Sequence, residues 1–498
     1  MGNIRKQTIV SSILVYLGFG IGAINTWIYT KQGGAFTIDQ YALTRLFFDI
    51  GQLFFCFATL SSLTVLNKFY PYYKDNLPDN KNDLFTRTLV IVIIGCIVTT
   101  LACYVFEPLV VRKFSQRSKL FVDYYHWVLF FGVGLTFFSL LETYCWSLQK
   151  TILPSFLRET GLRLLTSLFI VLYFFRLVSF QTFIYLFSTM FLIMALILFV
   201  YLLKTKQLHI VLTVSRVTKK FRKKMLLMQW LTFGGITVIF IGQTIDGILI
   251  ASLVGLKETG IYTLGQYAAN LVQVPQRSIQ AVSTGVIARA WKDKDYKEIN
   301  RVYGRSSINM LLLGLFIFGN VWLNLLDGMQ VLHIQGAYTA ALQVILVIGA
   351  TRIIDAGTGV NQTIIITSNR WTFEFYSGII ILALRVPLAY LLVKQYSMIG
   401  SAYAELIMLS IFNFVRFEFL RREYGMQPYS MKTIYTLLLG FGSYFVTYLL
   451  LNNLHGWAGV ISRVCLFSAL MVAGTFLLRL TPDAMQLFDN VKKRLGRA

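Results

Sequence analysis

The sequence predicts an all-α polytopic membrane protein of about fourteen transmembrane helices. Three observations carry that prediction. The chain of 498 residues is 56% hydrophobic and only 14% charged, whereas soluble domains carry about 25% charged residues. Its mean hydropathy is +0.63. Apolar stretches of roughly the 20 residues that cross a hydrocarbon core recur from end to end. A soluble multi-domain enzyme is excluded by this pattern. The 46 Lys and Arg against 22 Asp and Glu give a net charge of +24. In a soluble chain that surplus would point to nucleic acid; in a membrane protein it is first a question of topology.

The first span, 8–30, follows Arg5 and Lys6 but lacks a small-residue cleavage site, so it reads as a retained helix and not a signal peptide. It carries Asn25 and the run Gly18-Phe-Gly20-Ile-Gly22, whose GxxxG spacing allows close helix approach. Span two, 42–66, carries Arg45 and Asp49 one turn apart. Spans three (85–106), five (160–179) and six (182–203) are nearly uninterrupted apolar runs, and span four (124–147) holds Glu142. Span seven, 227–254, carries Gln243 and Asp246. Span eight, 261–288, carries Gln273, Gln276, Arg277 and Gln280 with Pro275 as a candidate kink. Span nine is 305–325; span ten, 339–366, holds Arg352 and Asp355 beside Gly357-Thr-Gly359. Span eleven (373–393) holds Arg385 and Pro387, and span twelve (398–420) Glu405. Spans thirteen (433–451) and fourteen (457–479) complete the set. Runs longer than 25 residues imply tilt or extension beyond the bilayer.

Loop charge orients these spans. With both termini cytoplasmic, 33 of the 46 basic residues fall in inward segments and about eight in outward ones, the asymmetry that cytoplasmic loops show. Topology therefore accounts for most of the positive surplus. The sequence divides into an N-terminal six-helix bundle (1–203), a basic linker (204–226), a second six-helix bundle (227–420), and two additional helices with a basic tail (421–498). The stretch Lys204–Lys224 has no acidic residue and reads as a connector along the anionic leaflet. At low identity, Ile38–Arg45 aligns with Lys257–Leu264, each leading into a long helix. That alignment agrees with two equivalent bundles and a transporter that alternates access between them.

No catalytic constellation is present: no Gly-x-Ser-x-Gly, Walker A or HExxH sequence occurs. Cys56, Cys96, Cys103, Cys145 and Cys465 all lie in apolar stretches and the four histidines are scattered, so neither disulfides nor a metal site is expected. The protein is read as a non-enzyme without a cofactor, its energy drawn from a proton or sodium gradient, the substrate gradient, or another protein.

Ionisable residues inside a membrane are costly and mark functional sites. Arg45, Arg277 and Arg352 are the candidate substrate-binding cations of a hydrated cavity between the halves, since guanidinium suits bidentate phosphate recognition. Asn25, Gln243, Gln276 and Gln280 are candidate neutral hydrogen-bonding groups. Asp49, Asp246 and Asp355 are candidates for binding a coupling cation or for positioning the arginines. The structural alternative is that Arg45–Asp49 and Arg352–Asp355 are ion pairs within single helices, Arg385–Glu405 a pair between neighbours, and Arg463 a snorkelling side chain.

The six-plus-six-plus-two layout, the basic linker and the charged positions in spans two, seven, eight and ten resemble a known family. Further support comes from Ile38–Arg45, from Asn67-Lys-Phe-Tyr-Pro-Tyr-Tyr73, and from Lys150-Thr-Ile-Leu-Pro-Ser-Phe-Leu-Arg158. Together they resemble the polysaccharide-transport branch of the multidrug/oligosaccharidyl-lipid/polysaccharide (MOP) exporters, the Wzx-type O-antigen and capsule flippases. The resemblance implies two helical bundles in the cytoplasmic membrane that flip a polyprenyl-pyrophosphate-linked oligosaccharide by alternating access. It also implies partners among membrane lipids and the polysaccharide polymerase machinery. A lipid II flippase, a cation-coupled multidrug exporter of twelve helices and a membrane polysaccharide ligase or polymerase are the alternatives. Arginines oppose the multidrug reading by repelling cationic drugs, and short outer loops oppose the enzyme.

Overall fold

The computed structural model describes residues 17–483 together with 485 and 486. Residues 8–16 of the first expected span and the basic residues of the tail, Lys492 to Arg497, lie outside that range. Among the described residues the chain is helical, with no strand. In chain order the helices are α1 (17–30), α2 (Ile38–Thr59), α3 (Ser62–Asn76), α4 (Leu84–Phe114), α5 (Lys119–Asp123), α6 (Tyr125–Ser147), α7 (Ile152–Phe156), α8 (Leu162–Phe174), α9 (Phe180–Lys204) and α10 (Arg216–Leu253). Then follow α11 (Leu256–Ala269), α12 (Gln273–Lys292), α13 (Tyr296–Val331), α14 (Ala341–Gly357), α15 (Asn361–Thr367), α16 (Trp371–Tyr396), α17 (Met398–Tyr424), α18 (Met431–Leu451) and α19 (Gly456–Leu477). Among the described residues, eleven helices are long and apolar enough to cross a membrane. The other three of the expected fourteen are the partly described α1 and two interrupted passages.

Those interruptions have local causes. The passage over 160–179 begins as the π-helix Leu157–Gly161 and continues as α8. The passage over 261–288 breaks into α11 and α12 at the 3₁₀ turn Asn270–Val272. Pro275 is the third residue of α12, within the first turn, where its missing N–H leaves no helical bond unmade. It opens a helix and does not kink one. Expected span two is also divided, because Leu60 (φ 46°) and Ser61 (φ 61°) adopt left-handed conformations between α2 and α3. Span ten breaks after Gly357, where Gly359 takes φ +65°.

Two compact units divide the chain, Met1–Gly260 and Ile261–Ala498. The boundary falls within α11, later than the linker from which the sequence counts its second bundle. In the first unit, α2 packs against α4, α6 and α10, and α6 packs against α9. Thr37 starts α2 with a capping box: its side chain accepts from the Gln40 N–H (3.3 Å), and the Gln40 side chain accepts from the Thr37 N–H (3.0 Å). Its core is aromatic. Phe47 and Phe48 of α2 meet Phe131 of α6 and Phe187 of α9 edge to face, with ring centroids 5.2–6.0 Å apart. Gly18 and Gly22 of α1 lie against Glu159 and Arg163, so close that a Cβ at Gly18 would run into the Glu159 carbonyl. The GxxxG spacing is thus a packing seam.

In the second unit α13 is central, against α12, α14, α18 and α19, while α17 packs on α14 and α16. Phe467 and Met471 of α19 are buried with Leu311, Leu315 and Leu323 of α13. Arg463, expected to snorkel, is instead buried: its guanidinium pairs with buried Asp327 and donates to the Leu323 (3.1 Å) and Gly459 (3.1 Å) carbonyls. Backbone carbonyls of α13, of the first turn of α19 and of Leu454 (3.2 Å) in the turn before it supply what water would supply outside.

Candidate functional site

A cavity of about 650 Å³ with a mixed polar and apolar lining opens within the first unit. Phe48, Gln52 and Phe55 reach it from α2 at spacings of four and three, which place all three on one helix face. Ser139, Glu142, Thr143 and Trp146 reach it from α6, Asn67 from α3, and Phe240 and Gln243 from α10. Arg158 completes the wall from the π-helix. The extra residue in a π turn shifts the register of the side chains beyond it, a device common at functional sites.

Arg158 and Glu142 form the charged centre of this cavity. The Arg158 Nε donates to both carboxylate oxygens of Glu142, at 2.6 and 2.8 Å, and Nη2 donates to Glu142 Oε2 and to Ser139 Oγ (3.1 Å). Its guanidinium also stands 5.1 Å from the Phe138 ring centroid. Glu142 is 2% exposed, so the pair is close to neutral as a unit, and the cavity offers amides, hydroxyls and ring faces more than bare charge. That combination offers hydrogen bonds and apolar ring contacts to a neutral polar group.

Arg45, Asp49 and Asp246 also lie together. Asp49 is within electrostatic reach of both Arg45 and Asp246, and it sits against Gly247, where any side chain would meet its carboxylate. The Arg45 guanidinium is 5.9 Å from the Phe48 ring centroid. Asn25 has a structural position: it donates to the Arg163 carbonyl (3.0 Å) and accepts from Ser167 (2.7 Å), tying α1 to α8.

The second unit holds a buried network. Asp355 accepts from Gln276 (2.7 Å) and Asn413 (2.9 Å), Asn413 accepts from Asn361 (3.2 Å) and Arg416 (3.4 Å), and Arg416 pairs with buried Glu374. Arg352 pairs with Glu405 across helices at 2.8 Å and donates through Nε to Asn270 (2.9 Å) at the α11–α12 break. The i, i+3 pair Arg352–Asp355 is therefore replaced by partners from α12 and α17. Glu405 also lies within electrostatic reach of Arg385. Arg277 is exposed and Gln280 partly so. Neither Arg45 nor Arg277 has an acidic partner within salt-bridge distance among the described residues.

The structure thus joins Gln276 to Asp355 and places Asp49 within electrostatic reach of Arg45 and of Asp246, while Gln243 lines the first-unit cavity. Sequence reasoning missed the Glu142–Arg158 pair, because Arg158 counts as a loop charge until helix is known to reach it. It also missed Asn413 and Arg416, whose i, i+3 spacing with polar neighbours along span twelve was the available signal.

No family model matches the chain, and neither does any curated protein sequence. Among solved structures, the lipid II flippase MurJ in an inward closed conformation aligns at a TM-score of 0.74, with 14% identity over 95% of this chain and 99% of that one. An inward-facing multidrug resistance MATE family transporter of the MOP superfamily aligns at 0.60, with 14% identity over 82% of this chain and 93% of that one. A MATE protein in complex with MaL6 aligns at 0.57, with 14% identity over 84% and 96%. The chain shares its all-helical fold with these structures, the fold class that the sequence led one to expect.

Proposed function

We propose that this protein is a flippase of the cytoplasmic membrane, both termini inside, that moves a polyprenyl-pyrophosphate-linked oligosaccharide between leaflets by alternating access. The observation that carries this reading is the first-unit cavity, whose amides, hydroxyls and aromatic faces surround a self-neutralised Arg158–Glu142 pair. Such a lining suits saccharide better than a cationic drug. Alignment along nearly the whole chain with a lipid II flippase supports a lipid-linked substrate. Arg45 and Arg277 are assigned to the pyrophosphate, as guanidiniums with no carboxylate in salt-bridge contact. Arg352, neutralised by Glu405, contributes by fixing the α11–α12 break. Asp49, Asp246 and Asp355 are the groups through which a proton or sodium gradient would act. Membrane lipids and polysaccharide polymerase machinery are the assigned partners. Lipid II itself presents the same pyrophosphate and sugar chemistry, so the glycan is decided by a substrate panel.

The test is reconstitution into vesicles with a lipid-pyrophosphate-sugar and an assay of leaflet accessibility. The Arg45→Ala/Arg277→Ala variant, which breaks no salt bridge among the described residues, is expected to lose flipping while still folding, and normal flipping by that variant would sink the cationic assignment. Gln52→Ala/Gln243→Ala is expected to slow flipping of the sugar-bearing lipid more than that of the bare pyrophosphate lipid. Loss of flipping when one ion gradient is collapsed would identify the coupling ion.

A further inference from the structure

Beside the basic connector is a second cavity, of about 670 Å³, in the first unit. One wall is α4, with Thr86, Arg87, Val90 and Ile91; the other is the start of α10, with Lys219, Arg222 and Leu226. The segment 210–214, Ile-Val-Leu-Thr-Val, closes one side. This segment is apolar yet outward-facing: Leu212 is 83% exposed and Ile210 64%. It is nevertheless fixed in place. The Val211 N–H donates to Thr86 Oγ1 (2.9 Å), and the Ser215 N–H donates to Asp83 Oδ2 (3.2 Å).

Charge in the groove is one-sided. Asp83 is the acidic group beside it, and it is taken up by Arg87 Nε (2.6 Å) and Thr218 Oγ1 (2.8 Å) as well as by Ser215. Lys219 and Arg222 are exposed, and no acidic side chain among the described residues lies within salt-bridge distance of either. The groove therefore joins two unpartnered cations to a strip of exposed Val90, Leu212 and Leu226. Water satisfies the first and not the second. A molecule with an anionic head and hydrocarbon chains satisfies both, and the loop-charge asymmetry assigns this connector to the anionic cytoplasmic leaflet.

We propose that the groove binds one anionic phospholipid of the cytoplasmic leaflet. Lys219 and Arg222 pair with its phosphate, and Val90, Leu212 and Leu226 receive the upper part of its acyl chains. The lipid would clamp the connector to α4, so this site lies apart from the flipped substrate and does not depend on the flippase reading.

Native mass spectrometry of the full-length protein with phosphatidylglycerol tests this. Wild type is expected to retain one phosphatidylglycerol molecule in preference to phosphatidylcholine of the same chains. Lys219→Glu/Arg222→Glu is expected to weaken that retention by at least about tenfold. Lys223→Glu/Lys224→Glu makes the same charge change outside the groove lining and should leave retention near the wild-type level. Leu212→Asn should weaken it without altering net charge. Equal loss in the two double variants would overturn the proposal in favour of diffuse attraction. Displacement of the lipid by millimolar inorganic phosphate, or equal retention of phosphatidylcholine, would overturn it as well. Circular dichroism and melting temperatures of the variants establish that each is folded.

Discussion

A carboxylate buried in an apolar bundle persists only where its charge is met at close range. Glu142, 2% exposed, is met by three donor contacts from Arg158. Removing one member of such a pair leaves the other charge uncompensated and costs about 3–5 kcal/mol, whereas removing both charges together is far milder. Arg158→Ala is therefore expected to lower the detergent melting temperature sharply, and Arg158→Ala/Glu142→Gln to recover most of that loss. Equal melting of the two variants would show that the pair is not what holds the π-helix against α6. Asp483 poses the same problem outside the membrane. Burial alone would raise its carboxyl, but hydrogen bonds from Arg305 and Asn309, with the Arg305 charge, hold it below the usual carboxylate range. A depressed carboxyl stabilises the docked state at pH values above its ordinary pKa of about 4, and that stability is lost as the pH falls through the lower, folded value. Amide protection of residues 481–483 should hold from neutrality to about pH 4 and drop below it. In Asp483→Asn it should already be low at neutrality.

Helix positions were legible because hydropathy integrates over some 20 residues, and a single polar side chain does not erase it. Helix breaks were not, because they arise from one or two residues. Leu60 and Ser61 reverse their φ with neither glycine nor proline at either position, and the π-helix Leu157–Gly161 has no sequence pattern of its own. The candidate site inherits this limit: a polar residue on an uninterrupted helix, such as Asp246, is legible as an intramembrane position, whereas Arg158 at a π turn and Asn270 at a 3₁₀ turn are not. Pro275 was seen but misread, since a proline in the first turn of a helix and one in its middle look alike until the break upstream is known. The small-residue run in α1 was read correctly, and its three glycines are not equivalent. Gly18 abuts the Glu159 backbone, while a Cβ at Gly20 meets nothing within 4 Å. Gly18→Leu is expected to destabilise by about 1–3 kcal/mol through overpacking and Gly20→Leu to leave the melting temperature nearly unchanged. Loss of stability in both would point to lipid contact and not to the seam, because Leu has the higher helix propensity.

Over the whole molecule, two architectures are distinguished: twelve helices carrying an appendage, and fourteen helices of which the last two belong to the core. MATE structures cover 82–84% of the chain and the MurJ structure 95%, so length alone favours the second. Packing within the second unit decides in the same direction. Phe467 of α19 fills the notch at Gly319 of α13 so closely that a Cβ there would collide with the ring, and its side chain is fully buried. Asp327 of α13 depends on Arg463 of α19 for its counter-charge, with His455 3.4 Å away on the same carboxylate. A chain ending at residue 430 would keep Asp327 while losing Arg463, His455 and the cover over Leu315 and Leu323. It is expected to elute as aggregate, without the sharp melting transition of the full-length protein. Arg463→Met alone should reproduce part of that instability, and Asp327→Leu/Arg463→Met should restore most of it, because a buried pair exchanged for apolar side chains of similar volume is often neutral. A truncated chain that is monodisperse and melts like the full-length protein would instead make α18 and α19 an appendage.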